Sequence, residues 1–223
     1  MHRLPLAPEG LVYILAGLVC TAILFLIWPW LALAGAVLTL FVTFFFRNPR
    51  RSGPEMPDAI LSPADGRVMA ITALDYDEFI QGPAVRIIIF LSLFNVHINR
   101  APMSGTVDWR QYRPGRYLPA FKSHASDINE RNSIGIRQGS RRIVVHQITG
   151  FIARRIVCDV RPGDLLAQRQ RFGMIRFGSG TELVLPAGLP VAVQPGCRVK
   201  GGMTVLAQFT PDHEVLHAAQ ESA

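Results

Sequence analysis

A serine lies between two glycines, Gly178-Ser179-Gly180, inside the β-patterned run MIRFGSGTELVLP from Met174 to Pro186. A hydroxyl there has no core to fill and no helix to cap. It can attack the carbonyl carbon just upstream and turn the amide into an ester, because the preceding glycine leaves the approach uncrowded. That attack needs a base for the hydroxyl and donors for the tetrahedral oxyanion. If a base then removes the serine α-proton, β-elimination breaks the ester. Dehydroalanine remains, tautomerises, loses ammonia and becomes a pyruvoyl group, so the chain makes its own carbonyl cofactor. The triplet is also an ordinary loop sequence, so the weight falls on the residues that would assist it.

Three further stretches carry such residues. LSPADGRV (Leu61 to Val68) places Asp65 in a turn beside a strand. An Asp-Gly turn is its plain reading, a carboxylate for acid–base work its functional one. IIIFLSLFNVHINRAPMSGTV (Ile87 to Val107) delivers His97 after a long apolar strand, then Asn99 and Arg100. A histidine there is either structural or a proton carrier. VVHQITGFIARRIV (Val144 to Val157) carries His146 and the pair Arg154–Arg155, a solvated edge or an anion clamp. The cysteines Cys20, Cys158 and Cys197 have no metal-ligand spacing, so no metal site is expected, and a reducing compartment fits them.

Two kinds of element must position these groups. Gly10 to Trp28 is uncharged and long enough to cross a bilayer; after Pro29, Trp30 to Phe46 is also uncharged, and Arg47, Arg50 and Arg51 end the run. Arg3 flanks the other end, so the pattern reads as a membrane hairpin with both ends on the cytoplasmic side and Trp28 and Trp30 at the far interface. A cleaved signal peptide and a shallow monotopic hairpin are the competing readings. The polar, proline-rich Arg47–Asp58 stretch reads as a linker, and short Val/Ile/Phe-rich runs punctuated by Gly, Pro, Asn and Asp follow. PDHEVLHAAQES at the C-terminus is the best helix candidate outside the hairpin. VRPGDLL (Val160 to Leu166) echoes VQPGCRV (Val193 to Val199), a V-x-P-G turn of the biotinyl and lipoyl kind. The expected fold is mainly β, sandwich- or barrel-like, behind an N-terminal α-helical membrane hairpin, with residues 1–51 the hairpin and 52–223 the β-rich domain. The 23 Lys+Arg outnumber 16 Asp+Glu, and only Lys122 and Lys200 are lysines. Arginine forks favour phosphate and carboxylate partners. Basic and aromatic residues do not interleave in any nucleic-acid motif, so nucleic acid is not the expected partner.

In order, the hairpin, SPADGRV, FLSLFNVHINRAPMSGTV, NERN, GFIARRIV and GMIRFGS resemble the phosphatidylserine decarboxylases, in their short bacterial and archaeal form. The resemblance covers nearly all of Leu61 to Pro186. It implies a proenzyme that cuts itself at Gly178–Ser179 into a β chain, 1–178, and an α chain, 179–223, that stay together as a heterodimer. Ser179 would become the pyruvoyl group, with Asp65 and His97 driving the cut. The amine of phosphatidylserine would form a Schiff base with that group, lose carbon dioxide, take back a proton from His97 and leave as phosphatidylethanolamine. Arg100, Arg154, Arg155 and His146 are candidates for binding the substrate. Many longer members carry a second histidine three residues on, where this chain has Arg100; whether His97 serves both steps or His146 assists stays open. The resemblance places the enzyme on the cytoplasmic face of a bacterial inner membrane and leaves a higher oligomer open. Two alternatives remain: the same chemistry on another seryl phospholipid such as archaetidylserine, and a membrane-anchored β-sandwich binding module without chemistry.

Overall fold

A computed structural model describes residues 5–118, 128–150, 155–176 and 179–210; at Ser179 it describes the backbone. The C-terminal helix candidate PDHEVLHAAQES lies outside the described residues. The chain divides into two compact units, residues 1–50 and 51–223.

In the first unit, α1 (Leu11–Ile27) and α2 (Pro29–Phe45) are joined by Trp28 alone. Trp28 is extended (φ −155°), its N–H donates to Leu24 O at 2.7 Å, and its carbonyl accepts from Leu31 N–H at 3.0 Å. Pro29 starts α2, where its missing N–H costs nothing. Gly17 and Gly35 let the helices touch. A Cβ on Gly17 would lie 2.6 Å from Thr39 Oγ1, and one on Gly35 would lie 3.0 Å from Thr21 Oγ1. Both threonines bond back to those same glycines' carbonyls, at 2.7 and 2.8 Å. The stretch Pro8–Ile27 is helical over 20 residues and apolar enough to cross a membrane, whereas α2 is shorter. Most of the large apolar side chains of both helices are exposed, as a lipid-facing hairpin requires.

The second unit is antiparallel β. Its described strands are β1 (Ala59–Leu61), β2 (Gly66–Asp77), β3 (Gly82–Leu91), β4 (Ile98–Arg100), β5 (Gly105–Arg113), β6 (Arg131–Gln138), β7 (Arg141–Ile148), β8 (Arg155–Cys158), β9 (Leu165–Leu166), β10 (Arg171–Arg176), β11 (Ser179–Pro186), β12 (Arg198–Val199) and β13 (Val205–Gln208). They form an eight-stranded sheet β12-β2-β3-β11-β7-β6-β5-β9, a three-stranded sheet β4-β10-β8 and the pair β1-β13. Period-two alternation sends Ile87, Ile89, Leu91, Ile134, Ile136, Ile143, Val145, Leu183 and Leu185 into one core. The opposite face buries Val144 and Val184 with Ile80, under Phe79 and Trp109 stacked at 6.1 Å.

The V-x-P-G echo marks an internal repeat wider than the two turns. Gly163 and Gly196 have φ of +96° and +95°, a conformation glycine adopts without cost. Gly163 N–H donates to Val107 O at 2.8 Å and Val107 N–H to Asp164 O at 2.9 Å. In the other half Gly196 N–H donates to Val68 O at 2.7 Å and Val68 N–H to Cys197 O at 2.9 Å. The partners come from PADGRV and PMSGTV, which share P-x-x-G-x-V. The halves also cross-bond reciprocally, Leu61 N–H to Pro102 O at 3.0 Å and Arg100 N–H to Pro63 O at 2.9 Å. Residues 51–58, read from sequence as part of a linker, are pinned rather than loose. Gln168 Nε2 donates to Met56 O at 3.1 Å and Arg169 Nη1 to Pro54 O at 2.6 Å. Polar composition marked this stretch as surface chain, but its bare carbonyls serve as acceptors for side chains more than a hundred residues away.

Candidate active site

β10 ends at Arg176 in the three-stranded sheet, and β11 begins at Ser179 in the eight-stranded sheet. The described chain before and after residues 177–178 is therefore secured by two separate ladders. Arg176 pairs with Arg155, and Ser179 pairs with Leu91. Gly178 itself and Arg154 lie outside the described residues.

His97 meets the strand before this junction through its backbone. Its carbonyl accepts from Ile175 N–H at 3.1 Å. Its segment follows the β3–β4 turn, where Asn95 Oδ1 accepts from Ser92 N–H at 2.9 Å and from Ser92 Oγ at 2.8 Å. The imidazole is fully buried. Its Nδ1 lies 3.0 Å from Asn95 O. A carbonyl only accepts, so Nδ1 carries a proton, and in a neutral ring the lone pair would lie on Nε2. A base for a hydroxyl needs an unprotonated ring nitrogen.

Asp65 stands in the turn that abuts β4. Oδ1 accepts from Gly201 N–H at 2.7 Å, and Oδ2 accepts from Arg51 Nη2 at 2.8 Å. The internal repeat explains the first bond. Ser104 occupies the matching place and accepts from Gln168 N–H at 3.0 Å. A serine therefore suffices for the turn; what aspartate adds is a second oxygen and a charge. That charge faces a cationic cluster. Arg100 is 8% exposed and donates to Arg169 O at 3.2 Å. Its burial and the guanidiniums of Arg51 and Arg171 lower its pKa to about 10, against the opposing pull of Asp65. It stays cationic at neutral pH.

The other candidates sit apart from this cluster. Arg155 is exposed at the start of β8. His146 pairs in register with Glu182, and its Nδ1 lies 2.7 Å from Ser133 Oγ. By alternation this is the face of Val144 and Val184, opposite to Thr181 and Leu183. Burial, then the charges of Arg131, Arg86 and Arg113, lower the His146 pKa to about 3, so the ring is neutral. The Glu182 carboxylate is buried beside it, with Arg86 Nη1 at 3.9 Å.

Reading by motif missed Arg51, Asn95, Gln147 and Thr181. Gln147 follows Ile143 and Val145 in phase, and Thr181 precedes Leu183 and Leu185. A polar residue on the apolar phase of a strand was the available signal.

The described residues hold an antiparallel β domain with a buried imidazole bonded through its backbone to the strand before the junction, and an acid among guanidiniums around Arg100, in a chain that also carries an apolar helical hairpin. Comparison with known proteins gives the class a family. A family profile described as phosphatidylserine decarboxylase matches residues 38–207. A phosphatidylserine decarboxylase proenzyme of Carboxydothermus hydrogenoformans is 54% identical over 202 residues, 90% of this chain and 95% of that protein. Proteins of the same description from Symbiobacterium thermophilum and Syntrophus aciditrophicus are each 44% identical over 211 residues, covering 94% and 93% of this chain and 98% and 99% of theirs. The chain belongs to the phosphatidylserine decarboxylase family.

Proposed function

We propose that this chain cuts its own Gly178–Ser179 bond and that the product, residues 1–178 held to residues 179–223, decarboxylates phosphatidylserine to phosphatidylethanolamine at a bilayer surface. The observation that carries the reading is the junction itself: the cut falls between two separately laddered strands, and the buried His97, whose Nδ1 donates to Asn95 O, bonds through its carbonyl to the strand before it. In the cut, Ser179 Oγ attacks the Gly178 carbonyl carbon, the hydroxyl proton passes to the base, and the C–N bond breaks to leave an ester and a free amine. Loss of the Ser179 α-proton then expels the Gly178 carboxylate and leaves dehydroalanine. Water replaces its nitrogen, releasing ammonia. His97 is the base we assign, with Asp65 and Arg51 setting the charge around Arg100.

The residues fit the pyruvoyl group this makes. β11 pairs with both β3 and β7 past the cut, which supports the new end keeping its place once the bond is lost. The group, once present, supplies an electron sink for loss of carbon dioxide. Arg100, with Arg51 and Arg171 near it, suits the anionic groups of a seryl phospholipid. His97 holds the proton to be returned. The apolar hairpin would keep the domain near its lipid, and positive flanks at both ends support a cytoplasmic-face reading. The test is a vesicle assay with seryl phospholipids of glycerol ester and archaeal ether types. Release of carbon dioxide from phosphatidylserine by wild type, and none by Ser179→Ala, supports the reading; a wild type inert on every seryl lipid contradicts it.

A further inference from the structure

A chain of buried amides leads to β11, and every link in it has a fixed direction. Arg110 Nε donates to Asn132 Oδ1 at 3.1 Å. Asn132 Nδ2 donates to Gln147 Oε1 at 2.8 Å. Gln147 Nε2 donates to Asn99 Oδ1 at 2.9 Å and to Val157 O at 3.1 Å. Asn99 Nδ2 donates to Thr181 Oγ1 at 3.1 Å. A guanidinium can only donate, so it sets the orientation of the first amide, and each amide sets the next. The relay ends on Thr181 as acceptor. That hydroxyl must point its own proton elsewhere. Asn99, Gln147 and Thr181 are fully buried, and Thr181 stands two residues after Ser179.

The internal repeat shows that the fold does not require this. Where one half buries Asn99, the other buries Ile60 at the matching place. An apolar residue meets the structural need there, and burying an amide instead carries a desolvation cost. Backbone space is also reserved for the relay: a Cβ on Gly173 would lie 2.8 Å from Gln147 Nε2.

We propose that Thr181 is a positioning residue for self-cleavage, held by Asn99 so that its hydroxyl proton faces away from the relay and the entry of β11 is fixed beside the bond to be cut. The inference rests on the self-cleavage reading above. The test follows, on denaturing gels, the rate at which full-length chains made in a cell-free system split. Thr181→Val removes the hydroxyl at constant shape. Thr181→Ser restores it. Asn99→Asp keeps the position hydrogen-bonded but turns the Thr181 proton back toward the relay. Thr181→Val and Asn99→Asp are expected to split about tenfold more slowly, the effect of one lost hydrogen bond in the transition state, while Thr181→Ser stays near wild type. Thr181→Val splitting at the wild-type rate overturns the proposal. If Thr181→Val does not fold, as judged by its thermal melt, Asn99→Asp decides on the same criterion. A wild type that never splits defeats the self-cleavage reading itself, which separates the two failures.

Discussion

Asp65 offers the sharpest separation of charge from shape. Asp65→Asn retains an oxygen for Gly201 N–H, and Asp65→Ser installs the residue that the repeat uses at Ser104. Both remove the negative charge from Arg51, whose Nη2 lies 2.8 Å from Oδ2, with the two side chains 15% and 13% exposed. At that burial the lost charge-assisted bond is worth about 1.5–3 kcal/mol. Arg100 loses the charge that opposes its desolvation, so its pKa falls further below about 10. For a chain of this size, such a loss lowers Tm by roughly 3–12 °C. The assay is a double-mutant cycle of Asp65→Asn and Arg51→Met by thermal melts in detergent, all in a Ser179→Ala background so that the chain stays continuous. A coupling energy of about 1.5–3 kcal/mol is expected. Coupling below about 0.5 kcal/mol would refute the claim that aspartate is kept here for its charge.

Other expectations rest on separate contacts. His146, lowered to about 3 in the fold, stays neutral while an unfolded chain takes up a proton below its ordinary 6.5. Its contribution is therefore complete above about pH 6.5 and is lost as pH falls toward 3, at up to about 1.4 kcal/mol per pH unit. Chemical denaturation from pH 7 to 5 should show a shallower slope for His146→Gln than for wild type; equal slopes would mean the ring is not buried neutral. Gly173→Ala drives a methyl to 2.3 Å from Val157 O, and the overpacking should cost about 1–3 kcal/mol in a denaturation curve, together with slower splitting. Gly17→Val meets Thr39 Oγ1 at 2.6 Å and should separate α1 from α2, read as lost crosslinking between cysteines introduced at the helix contact.

The elements governed by local patterning were legible in the sequence. The Trp-Pro-Trp break falls where α1 gives way to α2, because Pro29 can start a helix but not continue one. Both V-x-P-G turns hold a glycine at positive φ, and Ser179 begins a strand. Long-range partners were not legible. Arg51 meets Asp65 across the turn before β2, and Asn132, Gln147, Asn99 and Thr181 converge from β6, β7, β4 and β11. No window of sequence contains such a group, since strand order in the sheet is not chain order. Asn99 was visible only as a neighbour of His97; its equivalence to Ile60 becomes visible once the two halves are superposed through their reciprocal bonds.

The central claim, a chain that breaks its own backbone at one bond, is tested most directly by intact-mass measurement of the purified protein beside Ser179→Ala. The account predicts two masses for wild type, residues 1–178 and residues 179–223 with the latter lacking an amino terminus, and one full-length mass for the variant. A wild type that is full length and still releases carbon dioxide from phosphatidylserine would contradict it.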